Sequence, residues 1–249
     1  MFLHMSDSLV IIPTYNEKEN IQELILEILS LEMDFHILIV DDNSPDGTAQ
    51  IVKNLQDTNG DRLFLLERSE KKGLGTAYMA GFRYALDKRY DYIFEMDADF
   101  SHNPKDLISL RNACRNDGVD LAIGSRYIKG VNVVNWPMGR VLMSYIASVY
   151  VRLITGLPIA DATAGFKCYK RSVLETIQLD KVKFVGYAFQ IEMKFRVWKH
   201  GFKLKEVPII FINRSKGTSK MSTGIFKEAF LGVIQMKFSS LFTQYEKAS

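Results

Sequence analysis

The stretch YDYIFEMDADFSHNP, residues 90–104, changes from an apolar run into a pair of carboxylates one residue apart. Residues i and i+2 of a strand point the same way, so Asp97 and Asp99 are expected to face a common target. Buried carboxylates are costly unless they are paired or bind a metal, and hard divalent cations prefer oxygen ligands. The pair therefore predicts a metal site at a strand end, with a solvated turn closed by Asn103-Pro104 as the alternative.

The same pattern, an apolar strand followed by an amphipathic helix, occurs three times before this stretch. Strands are predicted over 9–12, 35–40, 62–66 and 90–96, and helices over 18–31, from Asp46-Gly47-Thr48 through 55, and over 75–86. Unbroken apolar strands that alternate with helices indicate an α/β fold with a mostly parallel sheet covered on both faces.

Ligands of such sheets bind beyond the carboxyl ends of the strands. Polar residues follow three of the predicted strand ends, at 13–17, 41–46 and 97–101. A dinucleotide-binding fold would need its glycine fingerprint after the first strand, where this chain has Pro-Thr-Tyr-Asn-Glu. Gly73-Leu74-Gly75 follows the third strand instead and has Tyr78 in place of the third glycine, which disfavours a hydride-transfer enzyme.

Charge is distributed unevenly along the 249 residues. Residues 1–128 hold 13 Lys and Arg against 22 Asp and Glu, whereas residues 129–249 hold 19 against 7, which gives net charges of −9 and +12. The basic half is therefore expected to meet an anionic ligand, a membrane surface or nucleic acid. The two cysteines lack metal-ligand spacing, and two lone thiols fit a reducing compartment. The apolar N-terminus is too short for a signal peptide, so the sequence predicts a cytoplasmic location.

Two apolar segments in the basic half are predicted to be helices. In residues 139–155, four polar residues recur at every fourth position, and the eleven residues between Arg140 and Arg152 are too few for a bilayer span. An interfacial helix with a phosphate-binding edge fits this pattern, with an amphipathic core helix as the alternative. Residues 224–242 predict a second helix whose apolar stripe comprises Phe226, Ala229, Phe230, Val233, Ile234, Phe238, Leu241 and Phe242. We therefore expect a catalytic domain over 1–221 and an amphipathic, membrane-associating segment over 222–249.

Six segments in this order, IIPTYNEKENI, IVDDNSPDGT, KKGLGTAYMAGF, MDADFSHNP, IGSRY and NRSKGTSKM, give the chain a family resemblance. Together they resemble family 2 glycosyltransferases of the GT-A fold, most of all the dolichyl-phosphate (polyprenyl-phosphate) mannose synthases. The resemblance implies a GT-A-type sheet with a Rossmann-like nucleotide-binding half and C-terminal interfacial helices. It also implies GDP-mannose as donor, a polyprenyl (dolichyl) phosphate as acceptor, and attachment to the cytosolic membrane face.

Site residues are carried over from this resemblance position by position. Asp97 and Asp99 would hold Mg²⁺ or Mn²⁺ and, with Arg126, form the catalytic set. Ser101 stands where some relatives carry an amide, which favours an intervening water over direct metal ligation. The acceptor phosphate would lie among Arg126, Arg140 and Ser144. The donor would contact Pro13, Tyr15, Glu17, Val40, Asp41, Asp42, Asp97, Ala98, Asp99, Ser101, Arg126, Arg214 and Lys220, and which of Asp41 and Asp42 touches the nucleotide stays open.

No dedicated base is required, because a phosphate monoester is already mostly ionised at neutral pH and can attack directly in one inverting step. Among the carboxylates, Glu192 most resembles the catalytic base of other transferases, and the alternative is that Glu192 has a structural role. Three rival functions remain: transfer from UDP-glucose or another UDP-sugar to the same lipid, a silent nucleotide-sugar-binding subunit, and a nucleic-acid binder. The last lacks any nucleic-acid-binding motif, so no nucleic-acid partner is expected. A small membrane-anchoring subunit is a further expected partner.

Overall fold

The computed structural model describes residues 6–214, 216 and 224–245. The strands are β1 Ser8–Thr14, β2 His36–Asp41, β3 Leu63–Glu67, β4 Tyr92–Glu95, β5 Leu121–Ser125, β6 Val133–Val134, β7 Lys167–Lys170, β8 Leu204–Pro208 and β9 Phe211–Ile212. The helices are α1 Ile21–Leu29, α2 Thr48–Asn59, α3 Leu74–Asp87, α4 Asp106–Asn116, α5 Met138–Thr155, α6 Arg171–Thr176, α7 Tyr187–Lys199 and α8 Gly224–Phe242. The predicted alternation of strand and helix over the first hundred residues is confirmed.

Seven strands form the central sheet in the order β3-β2-β1-β4-β7-β5-β8. All neighbouring strands are parallel except β7, which runs antiparallel to both β4 and β5. The short strands β6 and β9 pair in a separate parallel ribbon. The predicted mostly parallel α/β sheet is therefore confirmed, and the antiparallel β7 is a feature that the sequence patterns did not indicate.

Both faces of this sheet are buried. Leu9 and Ile11 of β1 belong to one apolar cluster, and Val10 and Ile12 of the same strand belong to the other. Successive side chains of a strand point to opposite faces, so a strand with helices on both sides must be apolar at every position. This explains why the first strand reads as an unbroken apolar run.

Strand β7 places a buried ion pair directly below the Asp-x-Asp turn. Lys167 lies opposite Glu95 in the antiparallel register, and the Lys167 ammonium lies 3.1 Å from the Glu95 carboxylate, with both side chains fully buried. Tyr169 and Gln190 also donate hydrogen bonds to Glu95, at 2.7 and 2.8 Å. Because buried charges are retained only when paired and hydrogen-bonded, these contacts fix the end of β4 that carries the two aspartates.

Helix α5 buries two of its polar residues and exposes six of its apolar ones. Ser148, Val151 and Thr155 are buried, and Arg140 lines the cleft described below. The exposed apolar residues, here called the α5 apolar face, are Met138, Leu142, Met143, Tyr145, Ile146 and Leu153. This exposed face agrees with the expected interfacial helix. The second half of α5 packs into an apolar cluster through Tyr150, Val151 and Ile154, as the alternative of a core helix expected.

Helix α8 does not present one uniform apolar stripe. Val233 is buried with Met236 against α5 and α7, whereas Phe230, Phe238 and Phe242 are exposed. The expected single stripe is therefore wrong among the side chains described, because apolar residues occur on both sides of the helix and only one side packs on the protein. Phe226 and Ala229 belong to the part of α8 whose side chains are not described, and the division at residue 221 stays a prediction. None of the described helices is both long enough and apolar enough to cross a membrane.

Candidate active site

A cleft of about 430 Å³ opens at the carboxyl ends of β1, β2 and β4. It brings together predicted residues that lie far apart in the sequence: Pro13, Tyr15, Glu17, Asp42, Asp97, Ala98, Asp99, Ser101, Arg126, Arg140 and Arg214. A separate cavity of about 860 Å³ lies between α7 and α8 and contains none of these residues. The smaller cleft is the candidate active site, since the chemistry indicated by the sequence converges there.

Three predicted site residues that the structure describes do not line the cleft. The Val40 side chain is buried in an apolar cluster on one face of the sheet, so it cannot line the cleft. Asp41 is also buried, and its carboxylate accepts hydrogen bonds from the Thr14 and Ser44 hydroxyls, both at 2.7 Å. Ser144 is not among the cleft residues and lies beside the Tyr127 hydroxyl, while Lys220 falls outside the described residues.

Asp41 and Asp42 differ in their hydrogen bonds and in their access to the cleft. Asp42 lines the cleft and forms a two-pronged ion pair with Arg68, at 2.6 and 2.9 Å. Arg68 also donates to the Thr76 hydroxyl at the start of α3. Asp42 therefore lines the cleft with an oriented carboxylate, whereas Asp41 holds the neighbouring turn.

The two aspartates of the Asp-x-Asp turn share one electrostatic environment. Burial in the cleft, followed by the nearby charge of Asp99, raises the pKa of Asp97 to about 7, even though 38% of its side chain is exposed at the cleft surface. Arg214 opposes this shift and forms an ion pair with Asp99 at 2.7 Å. The Ser101 backbone N–H donates to Asp99 at 3.0 Å, so Ser101 acts here through its main chain. The turn is a site where additional positive charge is favourable.

These carboxylates fit a divalent cation that takes its other ligands from water or from a phosphate. Within residues 6–214, 216 and 224–245, no three His, Cys, Asp or Glu side chains form a group able to hold a metal ion. His102 is buried and its ring stacks on Phe166, and burial lowers its pKa to about 4, so the imidazole is neutral. His102 is therefore a packed side chain, and Asp97 and Asp99 are the candidate metal ligands.

Another part of the cleft is basic, here called its basic end, and its arrangement depends on a residue that the sequence patterns missed. Arg126 donates to the fully buried Asp161 through Nε and Nη2, both at 2.7 Å, and through its backbone N–H at 3.0 Å. Nη2 also donates to the Thr163 hydroxyl at 2.8 Å. The carboxylate of Glu206 accepts the backbone N–H groups of Ala160 and Asp161, which fixes the loop. The only local signal was the polar start of DATAGF, immediately before β7.

Arg140, in the first turn of α5, completes this basic end. Its Nη1 donates to the Asn213 side chain at 2.9 Å, next to the β6–β9 ribbon. The Arg140 guanidinium also lies 4.2 Å from the centre of the Trp136 ring. Two arginines from different parts of the chain therefore reach one end of the cleft, where an anion is the expected ligand.

Glu192 has a structural task rather than a place in the cleft. Its carboxylate accepts the backbone N–H groups of Lys183 and Phe184 at 2.9 and 3.0 Å, and Arg196 lies 3.7 Å away. Burial raises the pKa of Glu192, and these hydrogen bonds act in the opposite direction. The loop that it holds continues into residues 185–187, which line the cleft.

A mostly parallel sheet with an Asp-x-Asp turn beside a cleft at its strand ends is the arrangement of a glycosyltransferase of the GT-A type. The family model described as Glycosyl transferase family 2 matches residues 9–178, and the chain belongs to this family. It is 45% identical over 228 residues to the polyprenol monophosphomannose synthase of Mycolicibacterium smegmatis, covering 92% of this chain and 86% of that one. It is 43% identical over 225 residues to the undecaprenyl-phosphate mannosyltransferase of Micrococcus luteus, covering 90% and 91%.

Solved structures agree on the fold. A mannosyltransferase from Pyrobaculum calidifontis, in complex with GDP-Man and Mn²⁺, matches with a TM-score of 0.60 and 17% identity, over 96% of this chain and 75% of that one. Glucosyl-3-phosphoglycerate synthase from Mycobacterium tuberculosis, with Mn²⁺ and UDP, matches with a TM-score of 0.66 and 15% identity, over 95% and 78%.

Proposed function

We propose that the chain transfers mannose from GDP-mannose to a polyprenyl phosphate of the dolichyl type, with inversion, at the cytosolic face of a membrane. The observation that carries this proposal is one cleft that joins the Asp97/Asp99 pair to Arg126 and Arg140, beside a helix whose apolar face points outward. Relatives at 43–45% identity are named as mannosyltransferases or synthases acting on polyprenyl carriers. Fold, family and cleft thus favour one substrate pair.

The donor would occupy the end of the cleft formed by β1, β2 and β4. The Lys71 ammonium nitrogen lies 4.5 Å from the centre of the Tyr15 ring. The Asp42 carboxylate, oriented by Arg68, would contact the base or the ribose. A bound Mg²⁺ or Mn²⁺, held by Asp97 and Asp99, would neutralise charge on the departing diphosphate. Arg214 lies next to Asp99 and is the described cation best placed to contact the same diphosphate.

The acceptor phosphate would bind at the arginine end and attack the sugar directly. One phosphate oxygen forms the bond to the anomeric carbon while the bond from that carbon to the diphosphate breaks, and GDP leaves with the electron pair. A phosphate monoester is mostly ionised at neutral pH, so no proton has to be removed first. Glu192 is committed to two backbone N–H groups, which agrees with a mechanism that needs no protein base.

A polyprenyl chain keeps its phosphate at the membrane surface, so the cleft must be brought to that surface. The α5 apolar face begins beside Arg140, and Met138, Ile146 and Leu153 are 62–80% exposed. Burial of such side chains contributes roughly 25 cal/mol per Å², and basic residues near an anionic surface contribute about 1 kcal/mol each. The protein would therefore bind membranes peripherally and in a partly salt-sensitive way, with or without a small anchoring subunit.

The decisive experiment is a transfer assay with the full chain. Liposomes containing a polyprenyl phosphate are incubated with Mg²⁺ or Mn²⁺ and labelled GDP-mannose, UDP-glucose or UDP-N-acetylglucosamine, and label is counted in the lipid extract. We expect label only from GDP-mannose, none with the neutral polyprenol, and none with chelator. Label only from a UDP-sugar would support the alternative donor, and binding of GDP-mannose without transfer from any donor would support a silent binding subunit.

A further inference from the structure

Trp136 lies between the two arginines of the acceptor end. Its indole centre is 4.2 Å from the Arg140 guanidinium carbon and 5.5 Å from that of Arg126, both within the range of cation–π contact. Phe211 packs edge-on against the same indole, with the ring centres 5.1 Å apart. One aromatic side chain thus contacts both cations that the proposed function assigns to the lipid phosphate.

Arg126 and Arg140 are both cations, and each is held in place by different partners. For Arg126 the counter-charge is Asp161, at 2.7 Å. Within the part of the chain that the structure describes, no carboxylate forms a salt bridge with Arg140, whose contacts are the Asn213 amide and the Trp136 ring. The indole face is therefore, beside the Asn213 amide oxygen, one of the two electrostatic partners recorded for Arg140.

The backbone around Trp136 is fixed, which makes the ring a rigid support. Trp136 lies between β6 and α5, where Asn135 has a φ of 59° and the next residue is Pro137. The Asn213 backbone N–H donates to the Val134 carbonyl at 3.0 Å, so the ribbon that carries Phe211 also anchors this loop. A tryptophan packed in this way has few rotamers open to it, so little side-chain entropy of Trp136 is lost when a phosphate binds to the arginines.

We propose that Trp136 is the positioning residue for the acceptor phosphate: its indole face holds the Arg140 guanidinium next to that of Arg126, so that both charges meet one phosphate group. This inference rests on the proposed function and deepens it, because it names the residue on which acceptor affinity depends. The indole N–H is shielded from water and has no hydrogen-bond partner among the described residues. Phenylalanine would therefore keep a ring face and lose no hydrogen bond.

The test compares Trp136→Leu with Trp136→Phe in the transfer assay. Loss of a desolvated cation–π contact is expected to raise the apparent KM for polyprenyl phosphate on the order of tenfold in Trp136→Leu. Trp136→Phe should stay within about threefold of the wild type, since a phenyl ring keeps much of the cation–π attraction. Affinity for GDP, measured by calorimetry, should not change in either variant, which also shows that both are folded.

The second tryptophan supplies matched controls. The chain contains two tryptophans, and Trp198 packs beside Phe195 in α7, outside the cleft. Trp198→Phe should leave both the acceptor KM and GDP affinity unchanged. An acceptor KM in Trp136→Leu equal to that of the wild type, or an equal rise in both Trp136 variants, would overturn the positioning role while leaving the transferase function intact.

A binding measurement that needs no turnover separates this inference from the proposed function. In Trp198→Phe protein, the tryptophan emission, excited at a wavelength that tyrosine does not absorb, comes from Trp136 alone. Farnesyl phosphate should change this emission in a saturable way, whereas neutral farnesol and GDP should not. A change with GDP alone would assign the donor diphosphate to this end and overturn the inference. If the wild type transferred no sugar but this titration gave the expected result, the proposed function would fail and the phosphate site beside Trp136 would stand.

Discussion

Replacing Asp161 by asparagine tests how the basic end of the cleft is held together. The Asp161 carboxylate accepts three hydrogen bonds from Arg126 at 2.7, 2.7 and 3.0 Å, and the two side chains are 0% and 7% exposed. Breaking a buried ion pair by removing one partner typically costs 3–5 kcal/mol, because the other charge is left uncompensated. Since the amide keeps one acceptor oxygen, we expect Asp161→Asn to lower the free energy of unfolding by about 3 kcal/mol, at the low end of this range.

A matched control exists on the surface of the same protein. Lys205 and Asp117 form an ion pair at the same distance of 2.7 Å, but their side chains are 48% and 46% exposed. Exposed pairs contribute about 0–1 kcal/mol, so Asp117→Asn should change stability only slightly. Urea denaturation of the wild type and both variants measures the difference, and an equal loss in the two variants would refute the importance of burial.

The pH dependence gives a second check on the same variant. Burial alone would raise the pKa of Asp161, but the Arg126 guanidinium holds it below the usual value of 3.8. A carboxylate with a lowered folded-state pKa contributes stability that is fully present above its unfolded pKa and is lost as pH falls through the folded one. The stability gap between the wild type and Asp161→Asn should therefore be constant from about pH 5 to 7 and shrink below about pH 4. A gap that persists undiminished at low pH would show that the ionised carboxylate is not its cause.

Three further predictions concern the metal, the acceptor and the membrane. Asp99→Asn should lower turnover on the order of a hundredfold or more, because it removes an anionic metal ligand, and circular dichroism should show an intact fold. Unchanged activity in this variant, or of the wild type in chelator, would contradict the metal site. Arg140→Ala should raise the apparent KM for polyprenyl phosphate and leave GDP affinity unchanged in calorimetry, and lost GDP binding would contradict the division into two ends. The double variant Leu142→Asp, Ile146→Asp should lower liposome binding in flotation more than tenfold, because each aliphatic side chain buried in the membrane contributes about 1.5–3 kcal/mol. The control Leu26→Asp changes a leucine exposed on α1 and should have no effect on liposome binding.

Local sequence patterns predicted the position of Asp97 and Asp99 in the candidate site. Strand β4 reads as a short apolar run, and residues after such a run lie at the carboxyl edge of a parallel sheet, so the place of Asp97 and Asp99 followed from the sequence. The outward apolar face of α5 was likewise indicated by Arg140, Ser144 and Ser148 recurring every fourth residue. These predictions succeeded because side-chain direction in a strand or helix repeats with a fixed period.

Other features depended on contacts between distant parts of the chain. Asp161 and Trp136 were missed because no periodic pattern shows that a carboxylate at 161 will meet an arginine at 126, or that an indole will lie between two arginines. The insertion of β7 between β4 and β5 was equally invisible, because strand order is fixed by which strands pair rather than by the composition of each.

Local patterns in the sequence indicated the class of fold and the edge of the sheet that carries the chemistry, and they offered an interfacial α5 with a core helix as the alternative. Contacts between distant residues set which carboxylates line the cleft. Asp41 and Asp42 are adjacent in the sequence and both carry the same charge, yet one is held by Thr14 and Ser44 and the other is turned into the cleft by Arg68. The physical reason is that a side chain's role depends on which groups take up its hydrogen bonds, and for these two residues most of those groups lie 26 or 27 positions away along the chain.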